Sequence, residues 1–369
     1  MLTISCFNSY EISIGYNLLK DATSFADTLK SMHKKIVIIS DEQTAVLYSN
    51  TLQKSLLSHG LTVFLFSFPN GEIYKTRATK ERLENQMLEA NLARDTCLIA
   101  LGGGITTDLG GFLAATYCRG LPLIMIPTSL LAMVDASLGG KNGVNTPYGK
   151  NMIGCIYQPT KVLIDLSTLQ TLPKKELSNG FVEMIKHGVI ASKCYFEYLE
   201  NHVDQLLSLE PTLLEKAVFE SCLIKKNIIE ADEKDSGKRN LLNFGHTIGH
   251  GLEHLSNYAI SHGEAVAIGI VVESYLSMQL GFLDERSFQR IWRILLNYKL
   301  NLKLPFTVCY DTLFNALSLD KKSLQGKPRF IIVNTIGSTV LFNAIHCVDI
   351  KEDLLKQAIN WMNDALCCN

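Results

Sequence analysis

Histidines and acidic residues that could bind a divalent metal ion concentrate in the second half of the chain. His246, His250 and His254 recur every four residues, so one face of a helix would carry three imidazoles. Two imidazoles and a carboxylate with an open coordination position form a catalytic metal site, and zinc is its commonest occupant. Spacing alone leaves the ligands open: the pair His246 and His250 is one choice, and the local pair Glu183 and His187 is another.

A run of glycines, Gly102, Gly103 and Gly104, follows an apolar segment that is predicted to be a strand. Glycines at a strand-to-helix turn allow backbone N–H groups to approach a phosphate, and the helix N-terminus adds a partial positive charge. The run could bind a pyrophosphate or form a tight turn, since Thr107 stands where a dinucleotide-binding fingerprint has its last glycine. Asp41 ends an earlier apolar segment, where it could accept a ribose hydroxyl or cap a helix.

Flexible backbone and two lysines occur together between Ser137 and Gly154. Lys141 and Lys150 lie there among glycines and asparagines, a composition that suits a loop wrapped around a polyanionic, polyhydroxylated ligand. A solvated surface loop is the alternative interpretation of the same segment.

The elements that must position these groups differ between the two halves of the chain. In the first half, short apolar runs alternate with helical patterns, which predicts βαβ units and a mostly parallel sheet. The predicted strands are Lys35 to Ser40, Thr62 to Phe68, Thr96 to Leu101, Pro122 to Ile126 and Val162 to Leu166, and a helix is predicted over Thr79 to Ala93.

The second half is predicted to be mainly helical. Helices are expected over 175–190, 213–231, 246–255, 264–280 and 287–296, with a strand pair at Arg329 to Asn334 and Ser338 to Phe342 and a packing helix within Val348 to Asn369. The change of pattern near Pro173 predicts a domain boundary there, with an α/β domain over 1–172 and a mainly α-helical domain over 173–369.

Composition narrows the classes of protein. The chain has 369 residues, of which 47% are hydrophobic and 19% charged, as is typical of a folded globular protein. A formal net charge of -1 gives no overall preference for nucleic acid or an anionic membrane. The N-terminus lacks a signal-peptide pattern, no run approaches the roughly 18 apolar residues of a membrane-spanning helix, and the 10 cysteines show no paired spacing. These features predict a cytoplasmic location.

Five motifs occur along the chain in a characteristic order and spacing. They are Gly102 to Asp108 with Arg119, Val134 to Ile153, Glu183 to Lys186, Arg239 to His250, and His262 to Ala265. Together they resemble the 3-dehydroquinate synthases of the sugar phosphate cyclase superfamily. The resemblance implies a shikimate-pathway lyase that converts 3-deoxy-D-arabino-heptulosonate 7-phosphate to 3-dehydroquinate and phosphate. It also implies bound NAD, which oxidises a ring hydroxyl transiently, and one divalent ion, Zn2+ or Co2+, which polarises that hydroxyl.

The resemblance implies an N-terminal Rossmann-like α/β nucleotide-binding domain over 1–172 and a mainly α-helical metal- and substrate-binding domain over 173–369, with the active site in the cleft between them. It further implies roles for individual residues. Glu183, His246 and His262 would bind the metal ion. His250, Lys186 and Asp235 would act in catalysis. The residues that would contact NAD are Asp41, Glu72, Lys75, Gly104, Ile105, Thr106, Thr107, Asp108, Thr128, Ser129, Lys141, Thr168, Leu169, Gln170 and Thr171. Those that would contact the substrate are Arg119, Asp135, Lys141, Lys150, Asn151, Lys186, Lys225, Arg239, Asn243 and one of Lys321 or Lys322.

Arg119 is a phosphate ligand supplied across a dimer interface in the resembled family, so its presence predicts a homodimer. Two residues depart from the family's pattern. Thr107 replaces a glycine, and Asp235, in a proposed proton-acceptor position, is one methylene shorter than the glutamate of many members. His187 is interpreted as a pocket-lining or packing residue and His254 as a surface histidine.

Three alternatives stay open at this point. An iron- or zinc-dependent polyol dehydrogenase would share the glycine run and the helical histidines, but a simple alcohol needs no cluster of phosphate-binding cations such as that within Lys141 to Asn151. Another sugar phosphate cyclase would share most of the site. A non-enzymatic binding protein would not need complete sets of metal ligands, acid/base groups and cations.

Overall fold

The computed structural model describes residues 1–6, 9–20, 26, 29–30, 35–235, 237–319, 327–343 and 345–367. These residues fall into two units, Met1–Leu172 and Pro173–Asn369. Among the helices within the described ranges, none combines the length and the apolar character that a bilayer crossing requires.

A parallel sheet is the centre of the first unit. The strands described there are β1 (Leu2–Ile4), β2 (Tyr10–Gly15), β3 (Lys35–Asp41), β4 (Thr62–Phe68), β5 (Thr96–Gly102), β6 (Leu123–Pro127), β7 (Lys141–Thr146), β8 (Gly149–Ile156) and β9 (Lys161–Asp165). Over the described residues, the sheet has seven strands in the order β1-β2-β9-β6-β5-β3-β4. Neighbouring strands are parallel except β1 and β2, which are antiparallel. The predicted α/β class is therefore confirmed.

Helices cover this sheet. They are α1 (Glu42–Thr44), α2 (Asn50–Ser58), α3 (Arg77–Glu89) and α4 (Gly104–Thr116), with shorter helical segments at Ala45–Ser49, Glu72–Tyr74, Tyr117–Arg119, Ala132–Ala136 and Leu166–Thr171. Strands β3 and β5 are buried along almost their whole length, as expected of parallel strands whose sequences are continuous apolar runs. Leu52 and Leu56 of α2 pack against Ile38 and Ile99 in the core.

The strand order reverses between β3 and β5, since β4 lies on one side of β3 and the later strands lie on the other. Four of the parallel strands, β3, β5, β6 and β9, end at Asp41, Gly102, Pro127 and Asp165. These carboxyl ends share one edge of the sheet, and such a reversal is where open α/β sheets bind ligands. We call this edge the carboxyl edge of the first unit.

The prediction of a loop between Ser137 and Gly154 was wrong, because strands β7 and β8 form an antiparallel hairpin there. Glycine and asparagine have low strand propensity, which hid the hairpin. The glycines are needed for close backbone approach: a Cβ atom on Gly154 would lie 2.0 Å from the carbonyl oxygen of Asn142 on the opposite strand.

The second unit is mainly helical, as predicted. Its described helices are α5 (Lys174–Ala191), α6 (Lys193–Asn201), α7 (Val203–Leu207), α8 (Pro211–Ala231), α9 (His246–Leu255), α10 (His262–Gln279), α11 (Glu285–Asn297), α12 (Tyr310–Leu319) and α13 (Glu352–Leu366), with a 3-10 segment at Lys238–Asn243. Helix α13 accounts for the predicted C-terminal packing helix, since one of its faces is buried.

The predicted pairing of the runs 329–334 and 338–342 is confirmed in part, because segments of the two runs pair antiparallel, but the first run is not one continuous strand. The run divides at Ile332 into β10 (Phe330–Ile331) and β11 (Val333–Thr335), which pair with different segments. The partner of β10 is β13 (Cys347–Val348), and the partner of β11 is β12 (Ser338–Thr339).

Helices α9 and α10 approach each other to backbone contact. A Cβ atom on Gly269 would lie 1.9 Å from the carbonyl oxygen of Gly245, and one on Gly249 would lie 3.1 Å from that of Ala265. Gly245 also has a φ of 78°, a left-handed conformation that favours glycine. The close crossing positions the first turns of the two helices beside each other.

Candidate active site

The second unit brings Glu183, His246 and His262 together from three helices. Glu183 is fully buried in the middle of α5, and the two histidines are the first residues of α9 and α10. Their potential ligand atoms all lie within 4.8 Å of one another. Oε1 of Glu183 is 3.5 Å from Nε2 of His246 and 3.7 Å from Nε2 of His262.

The arrangement fits a small divalent ion. Ligands that bind Zn2+ tetrahedrally at about 2.1 Å are about 3.4 Å from one another, close to the observed separations. The second nitrogen of each ring already has a partner: Nδ1 of His246 lies 3.2 Å from the carbonyl oxygen of Phe244, and Nδ1 of His262 lies 3.2 Å from Oε2 of Glu253. Each ring therefore presents Nε2 towards Glu183, as metal-binding imidazoles commonly do.

Glu253 was not predicted as a site residue. It is buried on α9, three residues after His250 and seven after His246, so the helical spacing was a usable signal. Burial opposes a charge on His262, but the carboxylates of Glu253 and Glu183 outweigh it and raise the pKa of that imidazole to about 10. The cluster thus favours a positive charge at this position.

Lys186 and His250 lie next to the cluster. Lys186 forms an ion pair with Oε2 of Glu183, and both side chains are buried. The ring of His250, which is half-buried, is 5.4 Å from that of His246 and 6.2 Å from that of His262, measured between centroids. A partly accessible imidazole in this place could exchange a proton with a bound molecule.

The start of α10 is fixed by Glu264, the glutamate of the motif His262 to Ala265. Glu264 and Ser261 form a capping box, and Lys175 lies 3.1 Å from the Glu264 carboxylate. Burial disfavours the charged carboxylate, but the contacts with Ser261 and Lys175 together lower its pKa. Glu264 therefore has a structural role, because it fixes the start of α10 and with it the position of His262.

His187 and His254 are not among these three residues, although a ring nitrogen of His187 also lies within 4.8 Å of a carboxylate oxygen of Glu183. Nδ1 of His187 is 2.8 Å from Oγ of Ser221 on α8, where the ring packs in the interior. His254 is exposed at the end of α9. Of the two pairings that spacing left open, neither describes the cluster, because Glu183 faces one histidine from α9 and one from α10.

The predicted cation and amide ligands of this unit occupy α8 and the segment after it. Lys225 and Arg239 are buried, and Asn243 is half-buried. The Nη1 group of Arg239 donates to the carbonyl oxygen of Glu233 at 2.9 Å. Asp235 is half-buried with a φ of 61°. Lys321 and Lys322 lie outside the described residues.

In the first unit, Asp41 lies at the carboxyl edge and is the N-cap of α1. Its carboxylate accepts from the backbone N–H of Thr44 at 2.9 Å and from Oγ1 of Thr106 at 3.2 Å. The helix-cap interpretation therefore holds, and the ribose contact stays a prediction.

The glycine run leads into the N-terminus of α4, whose N-cap is Gly103. Because this N-cap has no side chain, the first N–H groups of the helix, on Gly104 and Ile105, are not capped by it and suit an anion. Thr107 is buried, and its Oγ1 donates to the carbonyl oxygen of Gly104 at 3.0 Å. The departure from glycine is thus accommodated inside the first turn.

Further predicted nucleotide ligands follow β6 and β9. Thr128 is buried and Ser129 half-buried after β6. After β9, Thr168 and Leu169 are buried, whereas Gln170 and Thr171 are exposed. Oγ1 of Thr168 is 3.5 Å from the carbonyl oxygen of Thr128, and the hydroxyl of Tyr48 donates to the carbonyl oxygen of Thr168 at 2.9 Å. The two segments are therefore neighbours.

Lys75 is a buried lysine at the centre of a polar network. It forms an ion pair with Asp108, and its Nζ donates to Oδ1 of Asn151 at 2.6 Å. Burial raises the pKa of Asp108, although Lys75 opposes the shift. Glu72 accepts a hydrogen bond at 2.7 Å from Nδ2 of Asn145 on β7, a residue to which no role was assigned.

The other predicted ligands of this unit are at its surface or near it. Lys141 and Arg119 are exposed, and Lys150 and Asp135 are half-buried. Lys141 and Lys150 lie on the hairpin strands β7 and β8, and Asp135 lies in the segment Ala132–Ala136.

Solved structures of sugar phosphate cyclases share this fold. A 2-deoxy-scyllo-inosose synthase complexed with carbaglucose-6-phosphate, NAD+ and Co2+ is 24% identical with a TM-score of 0.89, over 98% of this chain and 99% of that chain. A 2-epi-5-epi-valiolone synthase from Streptomyces hygroscopicus subsp. jinggangensis 5008, with NAD+ and Zn2+ bound, is 25% identical with a TM-score of 0.88, over 99% of both chains. The chain therefore has the fold of these cyclases.

Sequence comparison defines the family. The model of the 3-dehydroquinate synthase N-terminal region matches residues 65–179, and that of the C-terminal region matches residues 180–323. A 3-dehydroquinate synthase from Shewanella halifaxensis (strain HAW-EB4) is 42% identical over 353 residues, which are 95% of this chain and 96% of the relative. The chain belongs to the 3-dehydroquinate synthase family. The resemblance drawn from the five motifs is confirmed.

Proposed function

We propose that this chain converts 3-deoxy-D-arabino-heptulosonate 7-phosphate to 3-dehydroquinate and phosphate, a lyase reaction of the shikimate pathway. The carrying observation is the cluster of Glu183, His246 and His262, with Lys186 and His250 beside it, in a chain 42% identical to a 3-dehydroquinate synthase. The polyol dehydrogenase and binding-protein alternatives do not account for that identity. Another cyclase would share the fold, but its solved examples are only 24% and 25% identical.

The metal ligands would be Glu183, His246 and His262, and NAD would lie at the carboxyl edge of the first unit. When bound, the ion polarises a ring hydroxyl and NAD takes up and returns its hydride. The chain's own contribution begins with the first turn of α4, whose N–H groups suit the pyrophosphate. Proton transfer is assigned to His250, with Lys186 and Asp235 as further catalytic groups.

The substrate phosphate is assigned to cations and amides because charge-assisted hydrogen bonds to phosphate are strong. Lys150 and Asn151 on β8 and Arg239 on the 3-10 segment are the main candidates. Further contacts are assigned to Asp135, Lys141, Lys225 and Asn243, with Lys321 or Lys322.

We also propose a homodimer to which Arg119 contributes a phosphate ligand for the partner subunit. Arg119 is exposed, and its φ of 66° follows a φ of 49° at Cys118. Such left-handed backbone is uncommon for side-chain-bearing residues and fits a turn shaped for a function.

We propose a cytoplasmic location as well. The cysteines of the sequence show no paired spacing of the kind that a disulfide framework has, which supports this proposal.

The function is tested by following phosphate and reduced cofactor together. With a catalytic amount of NAD, the enzyme should release phosphate without net accumulation of NADH, because the hydride is returned within each turnover. Protein stripped of NAD should release none until NAD is restored. NADH formed mole for mole with product, and no phosphate, would overturn the proposal in favour of a dehydrogenase.

Metal affinity should depend on Glu253, because its carboxylate fixes the ring of His262. Partners of this kind typically contribute about 10-fold to 100-fold in metal affinity. We expect a loss of about 100-fold for Glu253→Ala and about 10-fold for Glu253→Gln, since glutamine keeps an acceptor but loses the charge. Competition with a chromogenic Zn2+ chelator measures the affinity. Glu285→Ala, at an exposed glutamate, is the control and should leave the metal affinity unchanged. Unchanged affinity in a folded Glu253→Ala protein would contradict the proposed role of Glu253.

A further inference from the structure

Asn145, near the end of β7, makes three hydrogen bonds to residues far away in the chain or on the opposite strand. Its backbone N–H donates to the carbonyl oxygen of Lys75 at 2.8 Å. Its Nδ2 group donates to Oε1 of Glu72 at 2.7 Å, and its Oδ1 accepts from the backbone N–H of Asn151 at 2.9 Å. Both ends of the amide are therefore used, in a definite orientation.

A bulge in the hairpin makes this arrangement possible. The register between β7 and β8 shifts between Val144 and Thr146, so Asn145 does not take a regular place opposite β8. It forms instead an isolated parallel bridge with Thr76. The extra residues lie on β8, where Lys150 to Met152 face the single residue Asn145, and one of them, Asn151, donates its N–H to the Asn145 side chain.

The partners of Asn145 have proposed roles in binding two different ligands, the cofactor and the substrate. Glu72 and Lys75 are assigned to NAD, and Asn151 is assigned to the substrate. Lys75 closes the network, because its Nζ also contacts Oδ1 of Asn151 at 2.6 Å. Asn151 has a φ of 53°, a left-handed conformation that asparagine adopts more readily than most residues, and the contact to its N–H helps to hold that conformation.

We infer that Asn145 is a positioning residue that holds Glu72 for the nicotinamide cofactor and Asn151 for the sugar phosphate through opposite ends of one amide. The inference rests on the proposed function. Because each end of the amide contacts a different ligand-binding residue, a change at one end should affect one ligand more than the other.

Two variants separate the two ends. Asn145→Asp keeps an oxygen that accepts from Asn151 but places a second carboxylate against Glu72. It should weaken NAD binding about tenfold while the KM of the sugar phosphate stays within about twofold of wild type. Asn145→Ala removes both contacts and should raise both constants, each about tenfold. Calorimetry gives the Kd of NAD, and phosphate release at saturating NAD gives KM.

A reciprocal exchange provides rescue. In the double variant Asn145→Asp with Glu72→Gln, the amide and the carboxylate exchange places, so a donor again faces an acceptor. The double variant should bind NAD at least as well as Glu72→Gln alone, and a double-mutant cycle should show favourable coupling. Tyr148→Ala, at the 92% exposed residue of the same hairpin, is the matched control and should leave both constants unchanged.

The outcomes decide the inference. Equal effects of Asn145→Asp on both ligands, no effect on either, or additive behaviour in the cycle would overturn it. A change confined to melting temperature would show a purely structural role and would also overturn it. These results are distinct from a failure of the proposed function, in which wild-type protein itself would not release phosphate in the presence of NAD and metal.

Discussion

Replacing Glu183 with alanine should remove the metal ion and the activity together. Glu183 is the residue that faces both His246 and His262, through its Oε1 atom. A bound ion contributes several kcal/mol to stabilising developing charge, so kcat should fall at least about a thousandfold. Metal content of the purified protein, measured by mass spectrometry beside kcat, checks the expectation.

Controls must separate loss of the ion from loss of the fold. Alanine at position 183 leaves Lys186 buried without its carboxylate partner, which is destabilising. Glu183→Gln keeps the shape and is the second variant, while Glu176→Ala changes an exposed acid two turns earlier on the same helix. A folded Glu183→Gln or Glu183→Ala protein with full metal occupancy would show that the ligand assignment is wrong.

Arg239→Ala should lower kcat/KM by at least about tenfold. The side chain is assigned to the substrate phosphate, and losing a charge-assisted hydrogen bond costs about 1.5 to 3 kcal/mol. Lysine should restore only part of the loss, because it cannot reproduce a bidentate contact. Steady-state kinetics of the wild type, Arg239→Ala and Arg239→Lys measure the effect.

Inorganic phosphate offers a second measurement for the same residue. As a product, it should inhibit Arg239→Ala more weakly than wild type by a similar factor, which a change in folding alone would not cause. Arg286→Ala, at an exposed arginine of α11, is the matched control. Wild-type kinetics and wild-type inhibition in Arg239→Ala would rule out the phosphate contact.

The local sequence pattern was sufficient to predict the bounds of elements whose buried residues follow a strand or helix period. The bounds predicted for β4 and α9 are those observed, since one is a short run of β-branched and aromatic residues and the other repeats its apolar positions at helical spacing. Through the family resemblance, the motifs also indicated the three residues of the candidate metal site, Glu183, His246 and His262. Spacing alone could not, because the ligands come from three helices.

Contacts between distant segments were beyond local reasoning. Glu72 and Asn145 are 73 positions apart, and no composition signal links them. The hairpin of β7 and β8 was missed for a related reason: its glycines oppose strand propensity, and only the backbone of the facing strand explains them. Glu253 could have been found, since it shares a helix with His246 and His250.

The crossing of α9 and α10 at glycines also determines how stiff the metal-type site is. The two imidazoles are carried by the first residues of helices whose backbones touch at Gly245, Gly249 and Gly269, so there is little free space in which the helices could shift. We therefore expect the site to bind ions of only a narrow range of radii. Zn2+, which binds imidazole nitrogens and carboxylate oxygens at about 2.0 to 2.2 Å, suits this spacing and this donor set, whereas Ca2+ takes six to eight oxygen ligands and does not suit two imidazoles. The backbone contact at one helix crossing would thus limit which ions the three side chains can bind.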